Sequence, residues 1–160
     1  MELDLDRTGL ESKGISMKIV VAIDGEQSAH SALAEITTQK YSSDTQIHLV
    51  HVIVPGFADV STPGIPDNVA IERAEEKGVL ERMAKNLKEK LNINATAEIL
   101  EGEVAEVIAN ACKQFGADEA IVPSHARHGF SRLWFGSIAD EIVDAAPCTV
   151  VVLKMSETKA

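Results

Sequence analysis

The sequence predicts a doubly wound α/β sheet with helices on both faces, and three observations lead there. Short β-branched apolar runs alternate with segments whose apolar residues recur at helical spacing. The connections between successive runs are long enough to force parallel pairing. The 160 residues suffice for one domain with a real core and are too few for two ordinary ones. Aromatic residues make up only 4% of the chain against 45% apolar overall, so Val, Ile, Leu and Ala must build that core.

Residues 1–16 carry no sustained periodicity and are expected to form an N-terminal tail. Met17 then opens an abrupt apolar run, and Ile19–Asp24 reads as a strand buried on both faces because its apolar residues are nearly continuous and β-branched. Ser28–Thr38 is a helix with Ala29, Ala32, Leu33 and Ile36 on one stripe. Gln46–Val54 is the second strand, and the stretch from Pro55 to Pro66, with three prolines and two glycines, is a long loop. Asn68–Lys90 is a long helix with Leu80, Met83, Ala84, Leu87 and Leu91 on one side; Gly78 weakens it by about 1 kcal/mol relative to Ala. Ala95–Leu100 is a short, partly polar third strand. Glu103–Phe115 has the clearest helical stripe, formed by Val104, Val107, Ile108, Ala111, Cys112 and Phe115, and Gly116 falls where a helix ends in a left-handed residue. Glu119–Val122 is the fourth strand, Ser137–Asp144 a short helix and Cys148–Leu153 the fifth strand, with 155–160 as a C-terminal tail. The folded domain therefore spans 17–154.

Fifteen basic residues against twenty-five acidic ones leave a formal charge of -10. Such a surface repels nucleic-acid backbones and anionic lipid, so neither nucleic acid nor membrane is an expected partner. No apolar run approaches the roughly 20 residues of a spanning helix. The first residues lack the basic-then-apolar pattern of a secretory signal, and two cysteines without a CxxC spacing make no disulfide framework. The expected location is the cytoplasm, with Cys112 and Cys148 as small buried hydrophobes.

In a doubly wound sheet the ligand crevice lies outside the carboxyl ends of the strands, where the strand order reverses. The segments to inspect are Asp24-Gly25, Val52–Pro55, Gly102-Glu103 and the chain from Pro123 onward. The last of these, 123–137, carries hydroxyls, Arg127, Arg132, His125, His128, Gly129 and Gly136-Ser137, and ends where a helix begins. A Gly-Ser at a helix N-terminus offers unpaired amides to an anion; the plainer reading makes Ser137 an N-cap worth roughly 1 kcal/mol. His125 and His128 have the spacing of a metal pair but no third ligand near them in sequence, so no protein-held metal site is expected. His48 and His51, three apart on a strand, face opposite sides of the sheet and cannot share an ion. Asp24 is a lone carboxylate, suited to accept hydrogen bonds from a ligand or to cap the following helix rather than to act as a general base. No catalytic constellation appears, and no catalytic residue is assigned.

Val-Ala-Ile-Asp24-Gly25, His51-Val52, Glu106-Val107-Ile108, Ser124-His125, Arg127, Ser131-Arg132, Gly136-Ser137 and Pro147-Cys148-Thr149-Val150-Val151-Val152 follow one another in an order and spacing that resemble the universal stress protein family from Met17 to Lys154. The resemblance implies a five-stranded parallel sheet in the order 3-2-1-4-5 and, usually, a homodimer. Here the dimer is expected to join through 148–153, the edge strand in that topology. In members that bind ATP, the aspartate after the first strand contacts the ribose, and the backbone of the valine after the histidine on the second strand reads adenine. Those positions are Asp24 and Val52. ATP-binding members also carry Gly-x2-Gly-x9-Gly-[Ser/Thr], which falls on Pro123, Ala126, Gly136 and Ser137, so two of the three glycines are missing. Pro123 has no N–H to offer. Ala126 keeps its amide, but a left-handed conformation there costs roughly 1–2 kcal/mol, about tenfold in affinity.

The nucleotide site implied by the resemblance thus comprises Asp24, Val52, Ala126, Arg127, Gly136 and Ser137. Its ligand is ATP or another adenine nucleotide, with Mg present only as a companion of the nucleotide. The expected function is a homodimeric stress-response regulator that senses the nucleotide. The alternatives are a stress adaptor working through dimerisation and protein partners without nucleotide, and a slow ATP hydrolase.

Overall fold

A computed structural model of the chain describes residues 14–54, 68–124 and 136–154. The elements are β1 (Lys18–Ala22), α1 (Glu26–Thr38), β2 (Gln46–Ile53), α2 (Asn68–Leu91), β3 (Asn94–Glu101), α3 (Val104–Phe115), β4 (Glu119–Pro123), α4 (Gly136–Ala145) and β5 (Thr149–Leu153). The five strands form one parallel sheet in the order β3-β2-β1-β4-β5, as expected.

β1 lies at the centre, and its side chains alternate between two cores. Ile19, Val21 and Ile23 join Ala32 and Ile36 of α1 and Leu80, Met83 and Leu87 of α2 on one face. Val20 and Ala22 join Val104, Ile108 and Cys112 of α3 and Ile142 of α4 on the other. Both faces of the strand are closed to water, which is why its sequence is apolar without alternation.

Several boundaries move by a residue or two. β1 ends at Ala22 rather than Asp24, although the Ile23 amide still donates to the Val50 carbonyl at 2.8 Å. α1 begins at Glu26 instead of Ser28, and Asp24 does not cap it. The cap is Gly25, whose φ of 86° only glycine adopts readily, and no side chain bonds the cap. Ser28 instead folds the turn: its hydroxyl accepts the Asp24 amide at 2.6 Å and donates to the Gly25 carbonyl at 3.0 Å. β3 runs a residue further at each end than its polar sequence suggested, because its whole length pairs with β2. α3 ends at Gly116 in the left-handed conformation, as its sequence predicted.

Ile15, placed by the sequence in the tail, forms a parallel bridge with Tyr41, its amide donating to the Lys40 carbonyl at 3.1 Å. Residues 1–13 of the tail, the 55–66 loop and 155–160 lie outside the described residues. Cys112 is fully buried and its thiol is pushed up to about 12, first by burial and then by the neighbouring Cys148. Cys148 corrects its expected burial: it is only partly covered, because it precedes the edge strand β5. Among the described residues no helix is long and apolar enough to cross a membrane.

Candidate functional site

The strand order turns back between β1 and β4, and the chain leaves the two strands there in opposite directions around the sheet. Asp24 follows β1 at this point. It is 6% exposed, and Gly25 beside it starts α1. Pro123 closes β4 opposite Leu153 of β5, and the Ser124 amide donates to the Leu153 carbonyl at 2.8 Å. α4 then begins at Gly136, so the expected Gly136-Ser137 pair does open a helix, where the first amides lack partners within the helix. Ala126, Arg127, His125, His128 and Arg132 lie outside the described residues.

Val52 occupies the end of β2 in register with Leu100 of β3, and its side chain belongs to the core under α3. With that side chain buried, only the backbone of Val52 is left to face a ligand.

His51, one residue earlier, points to the other face and meets the start of α2. It is 2% exposed. Its Nδ1 lies 2.8 Å from the Ile23 carbonyl, which can only accept, so Nδ1 carries the proton. Nε2 lies 3.0 Å from Glu72 Oε1. Glu76, one helical turn after Glu72, sits 3.5 Å from Nδ1 through Oε2, and the same oxygen accepts the Gly25 amide at 3.3 Å. Glu76 is 1% exposed. Asp24, His51 and Glu76 thus present ligand-type atoms that all lie within 4.8 Å of one another. Burial alone would push the His51 pKa down. The bond to Glu72, the charges of Glu76 and Asp24 and the Ile23 carbonyl together outweigh burial and raise it.

Reading along the sequence misses Glu72 and Glu76. A signal for them exists: counting back from Leu80 by four and by eight along the buried stripe of α2 lands on these two carboxylates. Acids on an apolar stripe at helical spacing mark a place where the helix meets something other than hydrocarbon. His48 behaves as its spacing predicts. It lies on the opposite face, bonded to Thr96 at 2.7 Å and Glu98 at 3.2 Å, with its ring stacked 5.4 Å from Phe115.

Residues 16–154 match the model of the universal stress protein family. Universal stress protein A homolog 2 of Coxiella burnetii is 29% identical over 143 residues, covering 86% of this chain and 94% of that protein. Among solved structures, a universal stress protein family protein of Arabidopsis thaliana with AMP bound superposes with a TM-score of 0.60 at 20% identity, covering 89% of this chain and 94% of that one. The universal stress protein of Archaeoglobus fulgidus in complex with dAMP gives 0.58 at 19%, covering 88% and 99%. At these identities the structural likeness speaks to the fold.

Proposed function

The chain belongs to the universal stress protein family, and on that footing we propose that it is a stress-response regulator that senses an adenine nucleotide in the crevice between Asp24, Val52 and the segment leading into α4. The observation that carries this reading is the position of Asp24: a carboxylate at the carboxyl end of the central strand, beside the reversal of strand order. A carboxylate there can accept both ribose hydroxyls, and the first amides of α4 suit phosphate. The Arabidopsis and Archaeoglobus relatives hold AMP and dAMP, which supports an adenine nucleotide as the class of ligand.

The residues fit such a ligand in part. Pro123 contributes no amide, and Asp24, Glu72 and Glu76 make the floor of the crevice acidic. Both features weigh against highly charged phosphate chains, so AMP is expected to compete better here than ATP relative to a member with all three loop glycines. A Mg ion would accompany the triphosphate alone.

The test is mass spectrometry of small molecules released when freshly purified protein is denatured, followed by calorimetry with AMP and ATP in a chelating buffer. Release of an adenine nucleotide, together with a loss of about tenfold or more in affinity on Asp24→Ala, is the expected result. Absence of any nucleotide and no binding of AMP at millimolar concentration would favour the adaptor reading, for which the missing amide at Pro123 is the supporting feature.

A further inference from the structure

We propose that His51, held among Glu72, Glu76 and Asp24, is a proton-operated clasp: charged, it fastens the amino-terminal half of α2 to the sheet, and neutral, it releases that half. The ring has no neutral form in which both of its close contacts are hydrogen bonds. Nδ1 donates to the Ile23 carbonyl at 2.8 Å, an oxygen that can only accept. Nε2 lies 3.0 Å from Glu72 Oε1, and an ionised carboxylate also only accepts. Both contacts are satisfied when both nitrogens carry protons, which is the imidazolium.

The charges that face the ring come from both neighbouring segments. Asp24 stands in the turn after β1, and Glu72 and Glu76 stand on successive turns of α2. The β3 residue in register with His51 is the apolar Ile99. Asp24, His51 and Glu76 are each more than nine-tenths buried, and their polar atoms converge within 4.8 Å. Two carboxylates this close in a space nearly shut to water need positive charge among them, and the imidazolium supplies it. Burial by itself disfavours that charge. The bond to Glu72, the charges of Glu76 and Asp24 and the Ile23 carbonyl outweigh burial and lift His51 above its ordinary 6.5.

Proton loss falls on Nε2, because Nδ1 keeps its carbonyl acceptor. The Nε2 lone pair then faces the Glu72 carboxylate, and the contact turns repulsive. Glu72 is 40% exposed and can turn to water. Glu76 is 1% exposed and accepts the Gly25 amide at 3.3 Å, so it leaves the cluster only if the helix moves. The second half of α2 is anchored in the core by Leu80, Met83 and Leu87, so the first half is the part that gives. The pairing of Arg73 with Glu101 also ties this half to β3, but an exposed contact of that kind is weak. A value raised in the fold means that the contribution to stability is full below 6.5 and is lost as pH rises through the folded value. The clasp is therefore shut in acid and opens toward alkali. It does not depend on nucleotide and is tested without it.

The experiment uses the full chain freed of nucleotide, with circular dichroism checking the fold at each pH. Long-range proton–nitrogen NMR follows the two ring nitrogens of His51, and amide hydrogen exchange follows protection along α2. His51 is expected to remain mostly doubly protonated at pH 6.5 and to lose the Nε2 proton at a higher midpoint. Across that midpoint, protection at Arg73–Lys77, corrected for the intrinsic pH dependence of exchange, is expected to fall about tenfold or more relative to Met83–Leu87. Glu72→Gln keeps the size of the side chain and removes its charge. It is expected to lower the midpoint by about one unit and to carry the change in exchange with it. A His51 already singly protonated at pH 6.5, or one that stays doubly protonated until the fold is lost, would overturn the clasp. So would an exchange profile indifferent to the midpoint, or a midpoint unmoved in Glu72→Gln.

Discussion

Single residues at the two ends of the sheet are held by opposite means. At the amino end, Tyr41 donates its hydroxyl to Glu119 Oε1 at 3.3 Å. Burial comes first in pushing its pKa to about 12, helped by the charges of Glu119 and Glu35. The chain contains one tyrosine, so its ultraviolet titration reads this group alone. Ionisation is expected near 12 rather than 10. Between those values the native chain keeps a proton that the unfolded chain has lost, so stability should fall as pH rises through that interval. Glu119→Gln removes the charge but leaves the burial, and should lower the value without restoring it to 10. A tyrosine titrating at its ordinary value in the unaltered protein would show that the contact does not form. At the carboxyl end, the cluster around His51 was only half legible in the sequence. His51 stood out by its spacing from His48, but its acidic partners come from α2, some 20 residues further on, and only the packing of α2 on the sheet brings them within 3.5 Å.

At the scale of elements, α2 is the piece whose local chemistry and tertiary role pull apart. Leu80, Met83 and Leu87 bury its second half, while Glu72 and Glu76 carry its first half over the crevice. Gly78 separates the two halves. A methyl group there would meet only the guanidinium of Arg82, the mobile end of a side chain, at 3.1 Å. Gly78→Ala is therefore expected to stabilise the protein by about 0.5–1 kcal/mol, through helix propensity and a less flexible unfolded chain. Urea denaturation measures it directly, and an equal or lower midpoint would mean that the Arg82 pairing with Glu26 was disturbed by more than the helix gained.

At the scale of the whole molecule, the exposed edge at β5 poses the remaining question. Its sequence is Thr-Val-Val-Val-Leu, and Val152 is 42% exposed. An open apolar edge of this kind invites a second chain. We expect a homodimer in which the two β5 strands meet across a twofold axis. Light scattering at micromolar concentration should give twice the 17.2 kDa of one chain. Val151 packs toward the core, so the informative substitution is Val152→Lys, which places a charge on the exposed side. It is expected to produce monomers, and a monomer in the unaltered protein would overturn the arrangement.

The sequence by itself determined the fold class, because hydrophobic periodicity and connection length are local properties: β1 reads as doubly buried, α3 as a single stripe ending at Gly116, and the crossovers as parallel. It also placed Asp24, Val52 and Gly136 at strand or helix ends, since those ends are marked by local changes of pattern. Only the tertiary structure decided that Asp24 leaves capping to Gly25, that Val52 turns its side chain into the core, and that Glu76 closes on His51. The reason is physical. Period and turn chemistry act over a few residues, whereas the charge and burial of a site arise where segments distant in the chain are packed against one another, and no local pattern carries that distance.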